Sequence, residues 1–590
     1  MINVRTLMAT HAPKSVLLLI SLLVAACTTH ESASLEPIRI SVIGTNDVHG
    51  ALVLEKERGG LVTLSGYIDA VRAARAEDGG AVLLIDAGDR WQGTVASNLN
   101  EGAAVVEAYN AMGYTAAAIG NHEFDFGPIG DAATPMNAGD DPRGALKQRA
   151  TEMEFPLLAA NLVDQSTGNL VAWNNVSPAV LVDVQGITVG IIGATTERTK
   201  ATTIASNFVG LETESLLVAI TREARQLRSQ GAQLVIVTAH AGSRCEDFTD
   251  PYDLSSCDMD GEIMRLANAL PVGLVDHIIA GHKHERIAHI VNDISITSNL
   301  SQTRTFSRTD FLISRQTGDI LSRQVYAPQT PCPFTSNSND ECAWKDGDQV
   351  SVAHYEGRPV SPNLRVLEIS RKAADIARDK SDEELGPYLE TAFLLLGNPE
   401  SPLSNLFTTA ILDSVDGDVA IHNVTGGIRA TLPEGPLTYA SVFEMFPFDN
   451  RVIVLDLSGA ELRRIIGQQA HNHRQRAGFA GMRVLVDCND DAMSIRMLRQ
   501  DGSDILDNDR VAVIVNDFLV LGGDDILTPA MPEDGFVFGG RGPLTRDVLV
   551  DWFRMQPGRM NAADFQSTDN PRWTLPEELP ASCTLPTSNP

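Results

Sequence analysis

The first half of the chain repeats one pattern: an apolar run that ends on polar residues. "IRISVIGTNDVHG" begins it, with Ile38, Ile40 and Val42 alternating with smaller or polar positions. "AVLLIDAGD" (81–89), "TAAAIGNHE" (115–123), "FPLLAAN" (155–161), "ITVGIIGATT" (187–196), "AQLVIVTAHAG" (232–242) and "HIIAGHKHE" (277–285) follow. Short continuous apolar runs predict strands buried on both faces. Helical spacing between several of them, around 61–75 and 214–230, predicts helices packed outside the sheets. The alternation predicts a layered α/β domain, whose site belongs in the loops beyond the strand ends.

Residues 328–352 break the pattern with a stretch rich in Pro, Ser, Asn and Asp, which predicts a disulfide-pinned loop. Apolar positions at helical spacing over 363–385 predict a connecting helix. A second α/β domain is expected from near Gly386, with strands at 418–424, 450–457, 482–488 and 510–517. Ser458 and Glu461 have the spacing of a capping box opening a helix over 459–468. The organisation expected is therefore a first domain over 38–350, a linker with a helix over 351–385, and a second domain over 386–575.

A chain of 590 residues is too long for one hydrophobic core, which agrees with two domains. A formal net charge of −30 argues against a nucleic-acid partner, which needs a basic face. It does not exclude an anionic substrate, because bound cations invert the local potential. Residues 1–27 read as an export signal: Arg5 and Lys14 flank the start, and Val16–Ala26 is an apolar run too short to span a bilayer. The run ends "VAAC", and Cys27 there resembles a bacterial lipobox, implying a lipid-anchored periplasmic or cell-surface protein; ordinary signal cleavage is the alternative. Cys245, Cys257, Cys332, Cys342, Cys488 and Cys583 remain, an even number that suggests disulfides in an exported chain. Neighbours pairing first gives Cys245–Cys257, Cys332–Cys342 and Cys488–Cys583, one of many connectivities that six cysteines allow.

The polar groups at the strand ends are Asp47 and His49, Asp89, Asn121 with His122, His240, and His282 with His284. Carboxylates, an amide and imidazoles form a mixed N/O set that suits Mn, Fe, Co or Zn rather than a thiolate site. Asp47 and His49 lie two apart, so in extended chain both would project to one side, and His282 and His284 repeat the spacing. A single strand-end histidine is usually a hydrogen-bonded structural residue, but polar groups at five converging strand ends share no packing reason.

"DVHG", "GDRWQG", "GNHEFD", "TAHAG" and "GHKH", in that order, resemble the calcineurin-like metallophosphoesterases, and most of all the exported 5'-nucleotidase family. The resemblance covers nearly the whole mature chain, and five ordered motifs over about 240 residues are far more specific than any one alone. It implies two divalent metal ions, with Asp47, His49 and His284 on the first, Asn121, His240 and His282 on the second, and Asp89 bridging. It implies that His122 and Asp125 form a catalytic dyad, with Glu123, Phe124 and Phe126 holding the loop. Asn161 fits either a role behind the ligands or a structural turn.

In the second half, "GGIR" (426–429), "FPFDN" (446–450) and "NDFLVLGGDD" (516–525) match stretches that hold the nucleoside in that family. The resemblance implies base stacking by Phe448 and Phe518, ribose contacts from Asp524, and substrate contacts from Arg429 and Asn450; core packing is the alternative for either phenylalanine. Three departures stand out: Gly397 replaces a usual arginine, Asn423 lies six residues before Arg429 where five is usual, and Asp525 and Ile526 follow "GGD" in place of glycine and an aromatic. The expected activity is two-metal hydrolysis of nucleoside 5'-phosphates, by a monomer or a dimer. The alternatives are cyclic nucleotides, nucleotide-sugars or a thiosulfate-type ester at the same centre, the last suggested by Trp91 where phenylalanine is more usual. A non-catalytic nucleoside-binding lipoprotein is the alternative from another class.

Overall fold

The apolar runs fold into two sheets stacked face to face. In this computed structural model the strands β1 (Ile38–Thr45), β2 (Ala81–Asp86), β3 (Ala116–Ala118) and β4 (Leu157–Leu158) run parallel and adjacent. The strands β5 (Ile187–Thr195), β6 (Leu234–His240), β7 (His277–Ala280) and β8 (Ile294–Ser298) form the parallel centre of the second sheet. A further strand, β9 (Ser307–Ile313), returns antiparallel to β1, so the chain closes the first sheet after completing the second. The structure describes residues 36–53, 59–130, 133–135, 137–336, 342, 350–396, 400–472, 476–537, 542–556, 558–566, 569–576 and 579–585. The export segment with Cys27, and Gly397, lie outside the described residues.

The burial pattern explains why the runs are continuously apolar. Ile40, Val42, Leu83 and Ile85 meet Val189, Ile191, Leu234 and Ile236 between the sheets. Ile43 and Leu84, on the opposite face, pack under the helices Gly60–Asp78 and Ala103–Met112 through Leu64, Ile68, Val105 and Tyr109. Val235 and Val237 pack outward on the helix Leu216–Ser229 through Ile220 and Ala224. Both faces of each central strand are therefore dry, as parallel sheets require.

The helix Leu364–Ser381 joins the two halves: Val366, Ile369 and Ala373 enter the first core and Ala377 enters the second. Its N-cap is Asn363, whose side chain accepts from the backbone of Arg365 and Val366. The stretch expected as a disulfide-pinned loop is pinned as expected and carries more order than its composition suggests. Phe334–Ser336 and Val350–Val352 pair antiparallel beside the Cys332–Cys342 bridge, and the Thr335 and Ser351 hydroxyls meet across the pair at 3.0 Å. Cys245–Cys257 and Cys488–Cys583 also form, and the latter fastens the C-terminal segment to the strand Met482–Asn489.

The second half centres on a four-stranded sheet in the order Val452–Ser458, Arg510–Asn516, Val419–His422, Gly478–Ala480. The helix Gly459–His471 opens with the full capping box: the Ser458 side chain accepts from Glu461 N and the Glu461 carboxylate accepts from Ser458 N. Two otherwise orphaned donors are satisfied by one residue pair. Ser458→Ala is expected to lower the stability of this half by about 1 kcal/mol, read as a shifted denaturation midpoint with an unchanged slope.

Candidate metal centre and substrate cleft

Each candidate ligand sits at or just beyond the carboxyl end of a parallel strand, His240 as the last residue of β6, but the loops are not extended. Asp47, His49, Asp89, His282 and His284 adopt φ of 50°, 49°, 57°, 76° and 55°. The pairs Asp47/His49 and His282/His284 thus reach one point through left-handed turns, not by extended-chain alternation. Non-glycine residues pay for that conformation, and they hold it where the surroundings over-determine it. Here Asp47 N donates to Gly88 O at 2.9 Å and His49 N to Asp89 O at 3.0 Å, locking the first loop to the second. Glycine is obligatory at the contact of the second and third loops. A Cβ on Gly88 would lie 2.7 Å from Gly120 N, and one on Gly120 would lie 2.3 Å from Asp89 Oδ1.

Two clusters result. Ligand atoms of Asp47, His49 and His284 lie within 4.8 Å of one another, as do those of Asp89, His240 and His282. Asn121 joins the second, with Oδ1 3.0 Å from His240 Nε2 and 2.9 Å from His282 Nδ1. Its amide cannot be turned round, because Nδ2 donates to Thr202 O at 2.7 Å. His240 Nδ1 donates to Ala87 O at 2.8 Å, so the neutral ring presents a lone pair at Nε2. That lone pair faces Asp89 Oδ2 at 2.9 Å as well as the Asn121 oxygen. Three acceptors facing one another repel unless a cation lies among them. Without one the ring must take a second proton: burial opposes this, yet Asp89 holds the His240 pKa up at about 10.

The first cluster makes the same demand. His49 Nδ1 donates to Gln92 O at 2.8 Å, leaving Nε2 unprotonated 3.1 Å from His284 Nε2. Among the described residues the only positive group on these lone pairs is Arg429, whose Nη2 lies 2.7 Å from His49 Nε2 and 3.3 Å from His284 Nε2. The guanidinium stands in for a cation. The donor chemistry of both clusters fits divalent metal.

Behind the ligands lies a dry charged network. The Glu123 carboxylate accepts from Asp89 N at 2.8 Å, Arg90 N at 2.9 Å and Gly120 N at 2.6 Å. Arg90, fully buried, pairs with Asp86 at 3.2 Å and approaches Glu123 at 3.9 Å. One carboxylate thereby joins the loop after β2 to the loop after β3. Phe124 and Phe126 are buried in the adjoining core, as expected for residues that hold the loop. Trp91 is also fully buried, with its ring against Gly102, so it packs the loop and has no face towards a substrate.

His122 and Asp125 form the expected pair, Nδ1 to Oδ2 at 2.6 Å. The other Asp125 oxygen accepts from Thr203 Oγ1 at 3.0 Å, and His122 N donates to Asp89 Oδ1 at 2.8 Å. Burial disfavours the charged ring, but the Asp125 carboxylate outweighs it and raises the His122 pKa above its ordinary value.

A cleft of about 210 Å³ opens over these groups and is closed on the far side by the second half of the chain. Arg429, Phe448, Asn450, Phe518 and Asp524 all line it. Phe448 is nearly buried, packed on His122 with centroids 5.6 Å apart and edge-on to Phe446 at 5.4 Å. Asn450 spends its amide N–H on Asp517, at 3.1 Å. Asp524 accepts from Asn423 Nδ2 at 2.7 Å, so the shifted asparagine supports the cleft wall. Asn161 does not reach the clusters: its amide clamps Thr195 N at 2.9 Å and Thr195 O at 2.7 Å at the end of β5.

Several cleft residues escaped the sequence reading. Arg198, Thr202, Thr203 and Lys283 line the same wall as the ligands. Lys283 stands between two candidate ligand histidines, a position that marks it. Arg198, Thr202 and Thr203 sit in a threonine-rich turn with no local signature, and only their partners, Asp525, Asn121 and Asp125, reveal them.

A family profile described as 5'-nucleotidase, C-terminal domain, matches residues 391–531. The chain is 24% identical over 524 residues to Protein UshA of Yersinia enterocolitica, covering 84% of this chain and 89% of that protein. It is 24% identical over 454 residues to Endonuclease YhcR of Bacillus subtilis, covering 74% of this chain and 33% of the relative, about a third of whose length it spans. Among solved structures, the 5'-nucleotidase precursor from Thermus thermophilus shares the fold at a TM-score of 0.69 and 21% identity, covering 92% of this chain and all of that one. The layered α/β first half and its α/β partner are thus a known two-domain arrangement.

Glu123→Gln removes the charge that faces Arg90 and turns an amide N–H towards backbone donors. It is expected to weaken binding of Mn²⁺ by about 10- to 100-fold in a calorimetric titration, with the fold kept.

Proposed function

We propose, from its likeness to the 5'-nucleotidase family of phosphoric ester hydrolases, that the chain is a two-metal enzyme releasing phosphate from nucleoside 5'-phosphates. The observation that carries this reading is the set of unprotonated donors facing one another in two clusters, with the His122–Asp125 pair beside them in one cleft. Asp47, His49 and His284 would hold one divalent ion, Asn121, His240 and His282 the other, with Asp89 between them. When bound, such ions supply Lewis acidity to the phosphoryl oxygens and a nucleophile from water at neutral pH.

The remaining work falls to the chain's own residues. Asp125 keeps a proton on His122 Nδ1 and so turns Nε2 towards the cleft. The charged ring then donates from Nε2 to the phosphate or to the departing oxygen. Arg429 would bind the anion in fork geometry, moving off the histidines it now contacts as substrate and metal enter. Phe518 and Phe448 offer aromatic surface for the base, Asp524 an acceptor for ribose hydroxyls, and the Asn450 carbonyl a further acceptor. Burial of Phe448 against His122 supports a position beside the reacting group for that ring.

Three disulfides support a working compartment that is oxidising, and hence export. Anchoring would be through lipid at Cys27; no described helix is long and apolar enough to cross a membrane.

One observation favours a second reading. Asp525, where glycine is usual, pairs with Arg198 across the cleft mouth, which alters the corner next to Asp524. The same centre would then prefer a different ester. Phosphate release from AMP, ATP, UDP-glucose, 2',3'-cyclic AMP and an aryl phosphate, before and after chelation and with Mn, Co, Zn or Mg restored, decides between them. Metal-restored release from AMP is the expected result. Release from the aryl phosphate alone removes the nucleotide pocket, and no release from any ester removes the hydrolase assignment for this chain.

Asp89→Ala is expected to abolish both metal-restored turnover and tight metal binding. His122→Ala is expected to keep the metals and lower kcat by roughly 10²- to 10⁴-fold.

A further inference from the structure

Besides the loop after β2, one further segment holds the loop that carries Asn121, His122 and Asp125 along its length. Thr202 O accepts from the Asn121 amide at 2.7 Å, Thr203 Oγ1 donates to Asp125 at 3.0 Å, and Asn207 Nδ2 donates to Phe124 O at 2.8 Å. The holding segment is stiff. Asn161 clamps its origin at Thr195, Thr195 and Thr199 share a hydroxyl contact at 2.8 Å, and Thr196 Oγ1 donates to Glu262 at 2.7 Å. Thr202 Oγ1 donates back to Arg198 O at 3.2 Å, which makes residues 198–202 a closed turn.

The outer end of that turn is attached to the other half of the protein. Arg198 Nη2 donates to Asp525 Oδ2 at 2.7 Å across the cleft. Asp524, the neighbour of Asp525, lines the cleft. Both aspartates are in the left-handed conformation, φ 50° and 56°. A shift of one is therefore passed to the other through a rigid pair of peptides.

We infer that residues 198–203 form a positioning strap that couples the docked position of the second half, through Arg198–Asp525, to the alignment of the catalytic loop, through Thr203 on Asp125 and Thr202 on Asn121. The strap rests on the hydrolase reading for its effect on turnover, but not for its effect on the loop. Thr203 fixes the Asp125 carboxylate by using the oxygen that His122 does not, so the carboxylate cannot rotate away from the ring. The Arg198–Asp525 pair is about half exposed at each partner, 54% and 53%, so it contributes little by itself and is screened by salt. A weak, screened contact suits a link that engages and releases as the cleft is used.

The test needs two readouts. Hydrogen–deuterium exchange of residues 119–127 in the metal-free protein reports the loop without any turnover. Thr203→Val and Asp525→Asn are each expected to raise it, and Thr203→Ser to restore the natural level; asparagine at 525 tolerates the left-handed backbone. In turnover of the preferred ester, Thr203→Val is expected to lower kcat by about 10-fold with KM changed less than about 2-fold, as misplaced catalytic groups do. Combined with Asp525→Asn, the loss is expected to fall short of the product of the single effects. The strap is overturned if Asp525→Asn leaves exchange at 119–127 unchanged, if Thr203→Ser behaves like Thr203→Val, or if the two substitutions multiply independently. A wild-type protein that hydrolyses no ester removes the proposed function, while the exchange measurement still decides the strap.

Discussion

Lone pairs that face each other are the constraint on which the first half of this protein is built. His240 Nε2, Asn121 Oδ1 and Asp89 Oδ2 meet within hydrogen-bond distance, and no placement of protons on a neutral ring satisfies all three. Three of the candidate ligands have their other polar atom already spent: His240 on Ala87, His49 on Gln92 and Asn121 on Thr202. The orientation is fixed before any cation arrives. The left-handed turns, the glycine contacts and the buried Glu123 carboxylate all keep those acceptors together against their mutual repulsion. Such preorganised acceptors are what makes a cation site strong, since little remains to be ordered on binding.

The two halves meet over this centre through few but directed contacts. Gln92 Nε2 donates to Pro447 O at 2.9 Å, Phe448 lies on His122, Arg429 covers the first cluster and Arg198 holds Asp525. Three of these four contacts begin on residues next to candidate ligands or on the dyad itself. The far wall of the cleft is thus registered against the His122–Asp125 pair, and its geometry depends on the same loops that carry the candidate ligands.

Much of this could be read from the chain. Strands flanked by helices followed from apolar runs with both faces dry, and the capping box at Ser458 from a three-residue spacing. The candidate ligands and the His122–Asp125 pair followed from five ordered motifs, because their chemistry is local to each strand end. What escaped the sequence was whatever depends on a distant partner. Extended geometry was expected for Asp47/His49 and His282/His284, and left-handed turns were found, since the first is held by hydrogen bonds to Gly88 and Asp89 in the loop after β2 and the second by the His282 amide on Asp47. Trp91 looked like a specificity mark and is core. The strap over 198–203 carries threonines whose hydroxyls have no signature until Asn121 and Asp125 are seen beside them. Arg198 gained meaning only from Asp525, which lies 327 positions away.

The spread of the ligands along the chain has a consequence for assembly. Asp47 and His282 are separated by 235 residues, yet the His282 amide donates to the Asp47 carboxylate at 2.9 Å. No fragment of the first half contains the centre, so it comes into being only when both sheets have closed on each other, at the slow end of a topology rich in long-range contacts. A cation that recognises the closed form alone then acts as a cross-link over most of that half, and its free concentration sets part of the half's stability by mass action. Damage to packing anywhere between the sheets, at Ile236 or Leu158 for example, would surface first as a weakened hold on the ion.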